Sequence, residues 1–265
     1  MKVRVWLAVA IAGLAGQAPL PAQRGNSDED AAIRGIETSQ GRSPQWIYAD
    51  NRRLDAALAA LAPQRPGVID AYVVAIGLDS DPVFGRESAE AARVLSRRYD
   101  AAGRTVTLAA GGGAGQAAMA NGSPANLAVA LGALSAIMDR QEDVLILFAT
   151  THGAPKLGLV FKDGETGYGL IAPRRLGDMI AGFGFRRKMI LISACFSGAF
   201  VPDLADDSSI VVTAASAVTP SFGCAPSSDW TIYGDALNNN ALRTPVPIDT
   251  AVGQAFGLVT KWELF

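Results

Sequence analysis

Two apolar stretches that each lead to a reactive side chain decide the fold: Val144–Gly153 (VLILFATTHG) and Met189–Gly198 (MILISACFSG). Each starts with a short apolar run bounded by polar residues or glycine, which is typical of a strand buried on both faces of a parallel sheet. The first run leads to His152, the only histidine among 265 residues, and the second leads to Cys195. Ligands bind at the carboxyl ends of the strands in open parallel sheets, so we expect these two side chains at one site.

Strand and helix patterns alternate around these two stretches. Strands are predicted at Ala71–Leu78, Arg104–Ala109, Val144–Thr151, Met189–Ala194 and Ser209–Ala215, with a hairpin at 158–171 that turns at Asp163-Gly164. Helices are predicted at Asn51–Leu61, Arg86–Ala101, from Ser123 or Asn126 to Asp139, at Pro173–Phe183 and at Asp249–Trp262. Because strands that alternate with helices form parallel sheets with right-handed connections, we predict a single α/β domain over residues 46–265, a three-layer α/β/α sandwich.

Composition and charge are those of an ordinary globular protein, with 49% hydrophobic residues, 18% charged residues and a net charge of −2. Neither sign forms a long run, which argues against a nucleic-acid groove or a basic membrane-surface patch. Two cysteines are too few for a disulfide framework or a cysteine-rich zinc site, so we expect no metal and no cofactor. A glycine-rich tract at 111–115 lacks the Gly-Lys-Ser/Thr of a phosphate-binding loop and is interpreted as a flexible loop.

The N-terminus has the pattern of a targeting signal. Basic residues precede the apolar run Trp6–Leu14, which is too short to span a bilayer, and small residues and prolines follow it. We predict a signal peptide over residues 1–22 and a periplasmic or secreted mature protein without a membrane span; a retained N-terminal anchor is the alternative. Residues 23–45 are polar and are predicted to be a flexible segment, either a linker or a pro-segment.

A cysteine and a histidine at neighbouring strand ends can perform acyl transfer. The thiol is the strongest nucleophile near neutral pH, and the imidazole activates it or protonates the leaving group. Adjacent parallel strands lie about 5 Å apart, so Cys195 and His152 can face one substrate bond from either side. The N–H groups of Gly153, which has no Cβ to obstruct a substrate, and of Cys195 can stabilise a developing oxyanion.

Other interpretations remain open on these residues alone. In an exported protein Cys195 and Cys224 can form a disulfide, which would block the nucleophile and leave a binding or scaffold protein. Cys224 can instead be a free thiol, either a redox partner of Cys195 or a residue packed in the core. A serine hydrolase does not fit, because its nucleophile would need the same His152 and the chain has no Gly-x-Ser-x-Gly elbow.

The same motifs carry a resemblance to a known family. Thr-His-Gly after one apolar strand and Ser-Ala-Cys-Phe-Ser-Gly after another resemble the legumain family of cysteine peptidases, peptidase family C13, which shares the caspase-type fold. The similarity covers roughly residues 68–240 and is greatest to the bacterial secreted branch of the family. It implies a caspase-like peptidase domain that acts on a peptide or protein substrate.

Position by position, the resemblance implies Cys195 as nucleophile, His152 as general acid/base, and the N–H groups of Gly153 and Cys195 as the oxyanion hole. Arg86 stands where the family has an arginine of the S1 pocket, after the first strand. The alternative for Arg86 is a solvated residue at the start of a helix.

Two departures from the family pattern concern the substrate pocket and the histidine. Ser193 replaces the glutamate of the family's Glu-Ala-Cys motif, so a preference for asparagine does not transfer to this substrate-binding position. No asparagine that could orient the histidine is evident at 83–85. Substitutes for the missing pocket acid are sought at Asp163, Glu165 and Asp229.

These arguments lead to a cysteine endopeptidase that hydrolyses peptide bonds through a thioester on Cys195. Transfer of the acyl group to an amine, as in a peptide ligase or transamidase, is the first variant because the same thioester serves both. The P1 preference and the oligomeric state are left open by the sequence.

Overall fold

A computed structural model describes residues 27–111 and 118–264. Its helices are α1 (Ser27–Arg34), α2 (Pro44–Ala59), α3 (Pro82–Arg98), α4 (Pro124–Ile137), α5 (Pro173–Phe183), α6 (Val201–Leu204), α7 (Ile232–Gly234) and α8 (Ile248–Trp262). Its strands are β1 (Glu37–Ser39), β2 (Ala71–Gly77), β3 (Thr105–Ala109), β4 (Val144–Thr150), β5 (Gly153–Ala154), β6 (Gly158–Asp163), β7 (Gly167–Ile171), β8 (Arg187–Ser193) and β9 (Ser209–Thr213). The predicted signal peptide and most of the glycine-rich tract lie outside the described residues.

A five-stranded sheet with the order β3-β2-β4-β8-β9 forms the centre of the protein, and all its neighbouring strands are parallel. The central strand β4 is buried along nearly its whole length, as its continuous apolar run predicts. The register pairs Thr150 with Ser193, so β4 and β8 end side by side. The segments that follow, with His152 and Cys195, therefore start next to each other.

Helices cover both faces of this sheet. Leu54 of α2, Leu131 of α4 and Ile180 of α5 belong to the apolar core on one face. Leu95 of α3 and Ala255 of α8 belong to the core on the other face. The predicted three-layer α/β/α sandwich is thereby confirmed. Within the described part of the chain, no helix combines the length and the hydropathy that crossing a bilayer requires.

Helix α3 begins four residues earlier than its apolar periodicity predicts. Pro82 occupies its first turn and Asp81 stands at the N-cap position, where the fixed φ of proline suits a helix and its missing N–H costs nothing. The predicted strand Ala71–Leu78 and the predicted helix Arg86–Ala101 leave residues 79–85 as a connection between them. The earlier start is important because it sets Asp81 at the tip of a helix that points at the carboxyl end of the sheet.

A small antiparallel sheet with the order β1-β7-β6-β5 lies beside the main sheet. The predicted hairpin is present as β6 and β7, and Gly164 in its turn has a φ of 56°. Strand β5 directly follows His152 and pairs with β6. The chain beyond the histidine is thus held by the hairpin.

Residues 27–45 have regular structure rather than the flexibility that their polar composition predicts. They form α1, β1 and the first residues of α2, and β1 pairs with β7. The Arg42 guanidinium donates to the Asp163 carboxylate at 2.6 Å and lies 4.0 Å from the centre of the Trp46 ring. A polar segment gains order here from a buried ionic partner more than a hundred residues away, which composition does not reveal.

Replacing Arg42 by alanine tests whether this segment stabilises the domain. The side chains of Arg42 and Asp163 are only 9% and 10% exposed, so the variant leaves a buried carboxylate without its cation. We expect the free energy of unfolding in urea to fall by about 3 kcal/mol. Arg174→Ala is the matched control because Arg174 and its partner Asp178 are 69% and 68% exposed, and a loss below about 0.5 kcal/mol is expected. Equal small losses in both variants would contradict the prediction.

Candidate active site

The turn after β4 fixes the backbone of His152. The Thr151 N–H donates to the Ser193 carbonyl at 3.2 Å, and the Thr151 hydroxyl donates to the Val160 carbonyl at 2.6 Å. The His152 carbonyl accepts the Val160 N–H at 2.9 Å. The histidine is therefore held between the end of β8 and the hairpin, with its side chain 39% exposed at the surface.

The imidazole of His152 is oriented by the start of α3. Its Nε2 lies 3.2 Å from the Asp81 carboxylate, and the Phe84 ring meets it edge to face with centroids 4.9 Å apart. Asp79 holds Asp81 in place, because the Asp79 carboxylate accepts the Asp81 N–H at 2.9 Å. When Nε2–H donates to Asp81, Nδ1 is left as the ring atom that can exchange a proton with another group.

Asp79, Asp81 and His152 are also close enough to bind a metal ion. One ligand atom from each residue lies within 4.8 Å of the others. Burial raises the pKa of the Asp79 carboxyl, and the nearby Asp81 charge adds to that shift. The sequence predicts no metal, so a chelator is needed as a control in any activity measurement.

Cys195 lies in a turn that is held from the opposite side by residues 215–221. Its Sγ accepts the Ser221 N–H at 3.2 Å. The next residue, Phe196, has a φ of 57° and donates its N–H to the Thr219 carbonyl at 3.0 Å. A left-handed conformation is rare for a bulky residue and is maintained only where surrounding contacts over-determine it, a pattern that clusters at functional sites.

Gly153 packs directly on the backbone of Cys195. A Cβ at Gly153 would lie 1.8 Å from the Cys195 carbonyl oxygen and 2.7 Å from its carbonyl carbon. Gly153 pairs with Leu159 across the β5–β6 ladder, and the neighbouring pair is joined by the bond from the Val160 N–H to the His152 carbonyl. Because hydrogen-bonded and non-hydrogen-bonded pairs alternate in an antiparallel ladder, Gly153 and Leu159 form a non-hydrogen-bonded pair. The Gly153 N–H therefore does not bond to β6. The residues predicted to form the site are thereby brought together by a glycine contact.

Arg86 and Ser193 are both tied to residues 228–231. The exposed Arg86 guanidinium on α3 donates to the Ser228 carbonyl at 2.7 Å and to the Asp229 carbonyl at 3.3 Å. The buried Ser193 hydroxyl lies 3.2 Å from the Thr231 hydroxyl. Arg86 and Ser193 therefore both contact the 228–231 loop.

Of the three acids considered as pocket substitutes, two have other partners. Asp163 binds Arg42, and Glu165 accepts the Tyr168 hydroxyl at 2.9 Å. Asp229 adjoins Arg86, although only through its backbone carbonyl.

Glu87 is an acid near Ser193 that the sequence analysis did not single out. It is fully buried, and its Oε2 accepts the Thr231 N–H at 3.2 Å. Burial raises the pKa of the Glu87 carboxyl, while the neighbouring hydroxyls of Ser193 and Thr231 oppose that shift. Glu87 thus links α3 to the end of β8 and to the 228–231 loop.

Asp81 is absent from the predicted site residues because it lies between the predicted strand Ala71–Leu78 and the predicted helix Arg86–Ala101. It satisfies the rule that drew attention to His152, since it is a polar residue shortly after the carboxyl end of a buried strand. Pro82, a preferred first residue of a helix, was the signal that would have placed Asp81 at an N-cap.

The two cysteines are free thiols in the structure. The Ser221 hydroxyl lies between them, 3.5 Å from the Sγ of Cys195 and 3.6 Å from the Sγ of Cys224. Burial raises the pKa of the Cys224 thiol to about 11. The disulfide considered from the sequence is thus not formed here.

Comparisons with known proteins were made against family models, curated proteins and solved structures. The model of the Peptidase C13 family matches residues 120–261, more than half of the chain, and the match includes His152 and Cys195. No curated protein gives a significant match.

The solved structures that are similar to this chain include two caspases. One is caspase-1 from Spodoptera frugiperda, 13% identical, with a TM-score of 0.45 over 75% of this chain and 83% of that chain. The other is pro-sf-caspase-1, 14% identical, with a TM-score of 0.45 over 77% and 84%. Similarity at this level carries no information on activity.

Substituting Gly153 by alanine tests the contact that brings the two segments together. The added methyl group collides with the Cys195 carbonyl, so one of the segments has to shift, and we expect the free energy of unfolding to fall by about 2 kcal/mol. Gly253→Ala is the control, because nothing lies within 4 Å of a Cβ built at this position in α8, and unchanged or slightly higher stability is expected. Urea denaturation of both variants measures the difference, and a Gly153→Ala protein as stable as the wild type would refute the close contact.

Proposed function

The chain belongs to the peptidase C13 family, and from that premise we propose that it is a cysteine endopeptidase with Cys195 as its nucleophile. The observation that carries the proposal is the contact of Gly153 with the Cys195 backbone, because it holds the segment with the only histidine of the chain against the segment with the free Cys195 thiol. Both groups stand at the carboxyl edge of a parallel sheet, where active sites of such folds lie.

The proposed reaction proceeds in two acyl-transfer steps. The Cys195 sulfur attacks the peptide carbonyl carbon, its proton passes to Nδ1 of His152, and His152 returns that proton to the departing amine. A thioester on Cys195 results. Water then attacks the thioester while His152 takes its proton, and the acid product leaves with the thiol restored.

Two backbone N–H groups are proposed to stabilise the oxyanion in both steps. The Gly153 N–H is outside the β5–β6 ladder, and the Cys195 N–H belongs to the turn shaped by the left-handed Phe196. Donors that are held in place before the reaction stabilise a developing charge without a cost of reorganisation.

Asp81 is proposed as a positioning residue for the histidine. Its carboxylate contacts Nε2, and it stabilises the imidazolium that forms when His152 takes a proton. In this chain an aspartate therefore has the orienting role that the sequence analysis sought in an asparagine.

Arg86 is proposed to contribute to the pocket for the residue before the scissile bond, and the buried Ser193 to support the adjacent loop through Thr231. The Arg86 guanidinium is exposed, and the carbonyls of Ser228 and Asp229 hold it in a defined position. Its charge suits an oxygen acceptor on the substrate, such as a carboxylate or an amide oxygen. Peptide hydrolysis and peptide ligation share all of these elements, and the fate of the thioester distinguishes the two activities.

Export remains a prediction from residues 1–22. We propose a periplasmic or extracellular location on the pattern of that segment alone.

Thiol alkylation combined with a peptide library tests the proposed nucleophile. In reduced protein, iodoacetamide is expected to label Cys195 faster than Cys224, since the raised pKa keeps the Cys224 thiol protonated. His152→Ala is expected to slow cleavage about 100-fold or more, and Cys195→Ala to abolish it. Cys224→Ser is the matched control and is expected to cleave like the wild type.

The products and the metal dependence decide between the alternatives. Cleaved peptides identify an endopeptidase, whereas joined peptides in the presence of added amine identify a ligase. Cleavage that survives in Cys195→Ala, or that is lost with a chelator and returns with zinc, would overturn the cysteine mechanism. A Cys195 that stays unlabelled in the reduced protein would favour a binding protein.

Replacing Asp81 by alanine tests the orientation of His152. We expect kcat/KM to fall about 100-fold, mostly through kcat, because the imidazole loses its carboxylate partner while the substrate pocket is unchanged. Asp229→Ala is the matched control, since Arg86 contacts only the backbone carbonyl of that residue. The split between kcat and KM is the readout that a structural role would not move, and KM is expected to stay unchanged in Asp81→Ala while kcat falls. A normal kcat in Asp81→Ala would remove Asp81 from the mechanism.

A further inference from the structure

The only two cysteines of the chain meet at one hydroxyl group. Both sulfurs lie within 3.6 Å of the Ser221 oxygen, so they are at most about 7 Å apart. The Ser221 N–H also binds the Cys195 sulfur. One residue thus contacts the proposed nucleophile and separates it from the second thiol.

We propose that Cys195 and Cys224 form a reversible disulfide that switches the site off, and that the Ser221 segment moves aside to let them join. The proposal rests on the proposed function in one respect, since the bond removes the nucleophile of the peptidase. Formation of the disulfide itself does not depend on peptidase activity and can be measured separately.

The segment that has to move is held by side-chain contacts and isolated turns rather than by a helix or a sheet. Residues 216–230, between β9 and α7, form no helix or strand. Ser221 also lines a pocket of about 360 Å³, which offers the segment space to shift. Its lining includes Pro220, Ser221, Phe222, Ile232 and Tyr233.

The backbone next to Cys224 forms a turn. Gly223 has a φ of 78°, and the Phe222 carbonyl accepts the Ile232 N–H at a long 3.4 Å. Shortening the sulfur separation to the about 2.05 Å of a disulfide therefore requires rearrangement of this turn, while Cys195 stays on its rigid strand end.

The oxidation needs a two-electron oxidant, and we name a hydroperoxide. The Cys195 sulfur attacks the peroxide oxygen, the O–O bond breaks, and Cys195 becomes a sulfenic acid as water leaves. The Cys224 sulfur then attacks the Cys195 sulfur, the S–O bond breaks, and a second water leaves with the Cys224 proton. In sum two thiols and one hydrogen peroxide yield one disulfide and two waters.

The two thiols have different roles in this sequence. Because the Cys224 thiol has a pKa of about 11, it stays protonated near neutral pH and reacts slowly with peroxide. Cys195 is therefore the first to be oxidised and Cys224 resolves it. Reduction by a dithiol transfers two electrons back and restores both thiols.

The test compares the full-length wild type with Cys224→Ser. Each protein is treated with hydrogen peroxide, trapped with iodoacetamide, digested and mapped by mass spectrometry, then treated with dithiothreitol and mapped again. In the wild type we expect an intramolecular peptide pair joined at Cys195 and Cys224, at least about tenfold slower labelling of Cys195, and full recovery of labelling on reduction. In Cys224→Ser we expect no such pair, and progressive, irreversible oxidation of Cys195 to a sulfinic acid.

Cleavage of the best library peptide, followed in the same samples, separates this proposal from the proposed function. If the disulfide forms and is reversed by reduction, but the reduced protein cleaves no peptide, the peptidase proposal is wrong and the disulfide proposal is supported. The disulfide proposal would be overturned, whatever the cleavage result, by one outcome in the peroxide-treated samples. In that outcome the wild type and Cys224→Ser lose Cys195 labelling at the same rate and give the same irreversible product. A pair joined only between two molecules would overturn it as well.

Discussion

The contact between the Gly153 backbone and the Cys195 backbone is the constraint on which the rest of the site depends. It exists because β4 and β8 are adjacent, parallel and in a register that ends them together at Thr150 and Ser193. A side chain at position 153 has no space, so the close approach of the two segments is possible only with glycine. Everything the site is proposed to do requires that these segments stay this close.

The first turns of α3 supply the second half of the site. Four side chains within seven residues at the start of this helix make these contacts. Asp81 and Phe84 contact His152. Arg86 binds the loop at Ser228, and the buried Glu87 binds Thr231 near the end of β8. The helix itself packs on the sheet through Ala91 and Leu95. A well-packed helix thus orients the histidine, as the proposed proton-transfer role requires.

The loop between β9 and α7 differs from α3 because it has no regular secondary structure. It contacts the thiol of Cys195 through Ser221, carries Cys224, and reaches Arg86 through Ser228. It has few backbone hydrogen bonds, and its residues 219–222 line a pocket. The proposed nucleophile therefore follows a strand of the main sheet and lies beside a segment without regular secondary structure, and the proposed substrate pocket and the proposed disulfide both involve this segment.

The sequence by itself determined the architecture and the two central side chains. Apolar runs and helical periodicity are local patterns that follow from burial on two faces of a sheet, so they predicted the parallel strands, helix α5 to the residue, and His152 and Cys195 at adjoining strand ends. Only the tertiary structure decided that Asp81 meets His152, that Arg42 of the N-terminal segment pairs with Asp163, and that Ser221 stands between the two thiols. Each of these is a contact between residues far apart in the chain, where the identity of a residue says what it can bind but not which partner the fold brings to it.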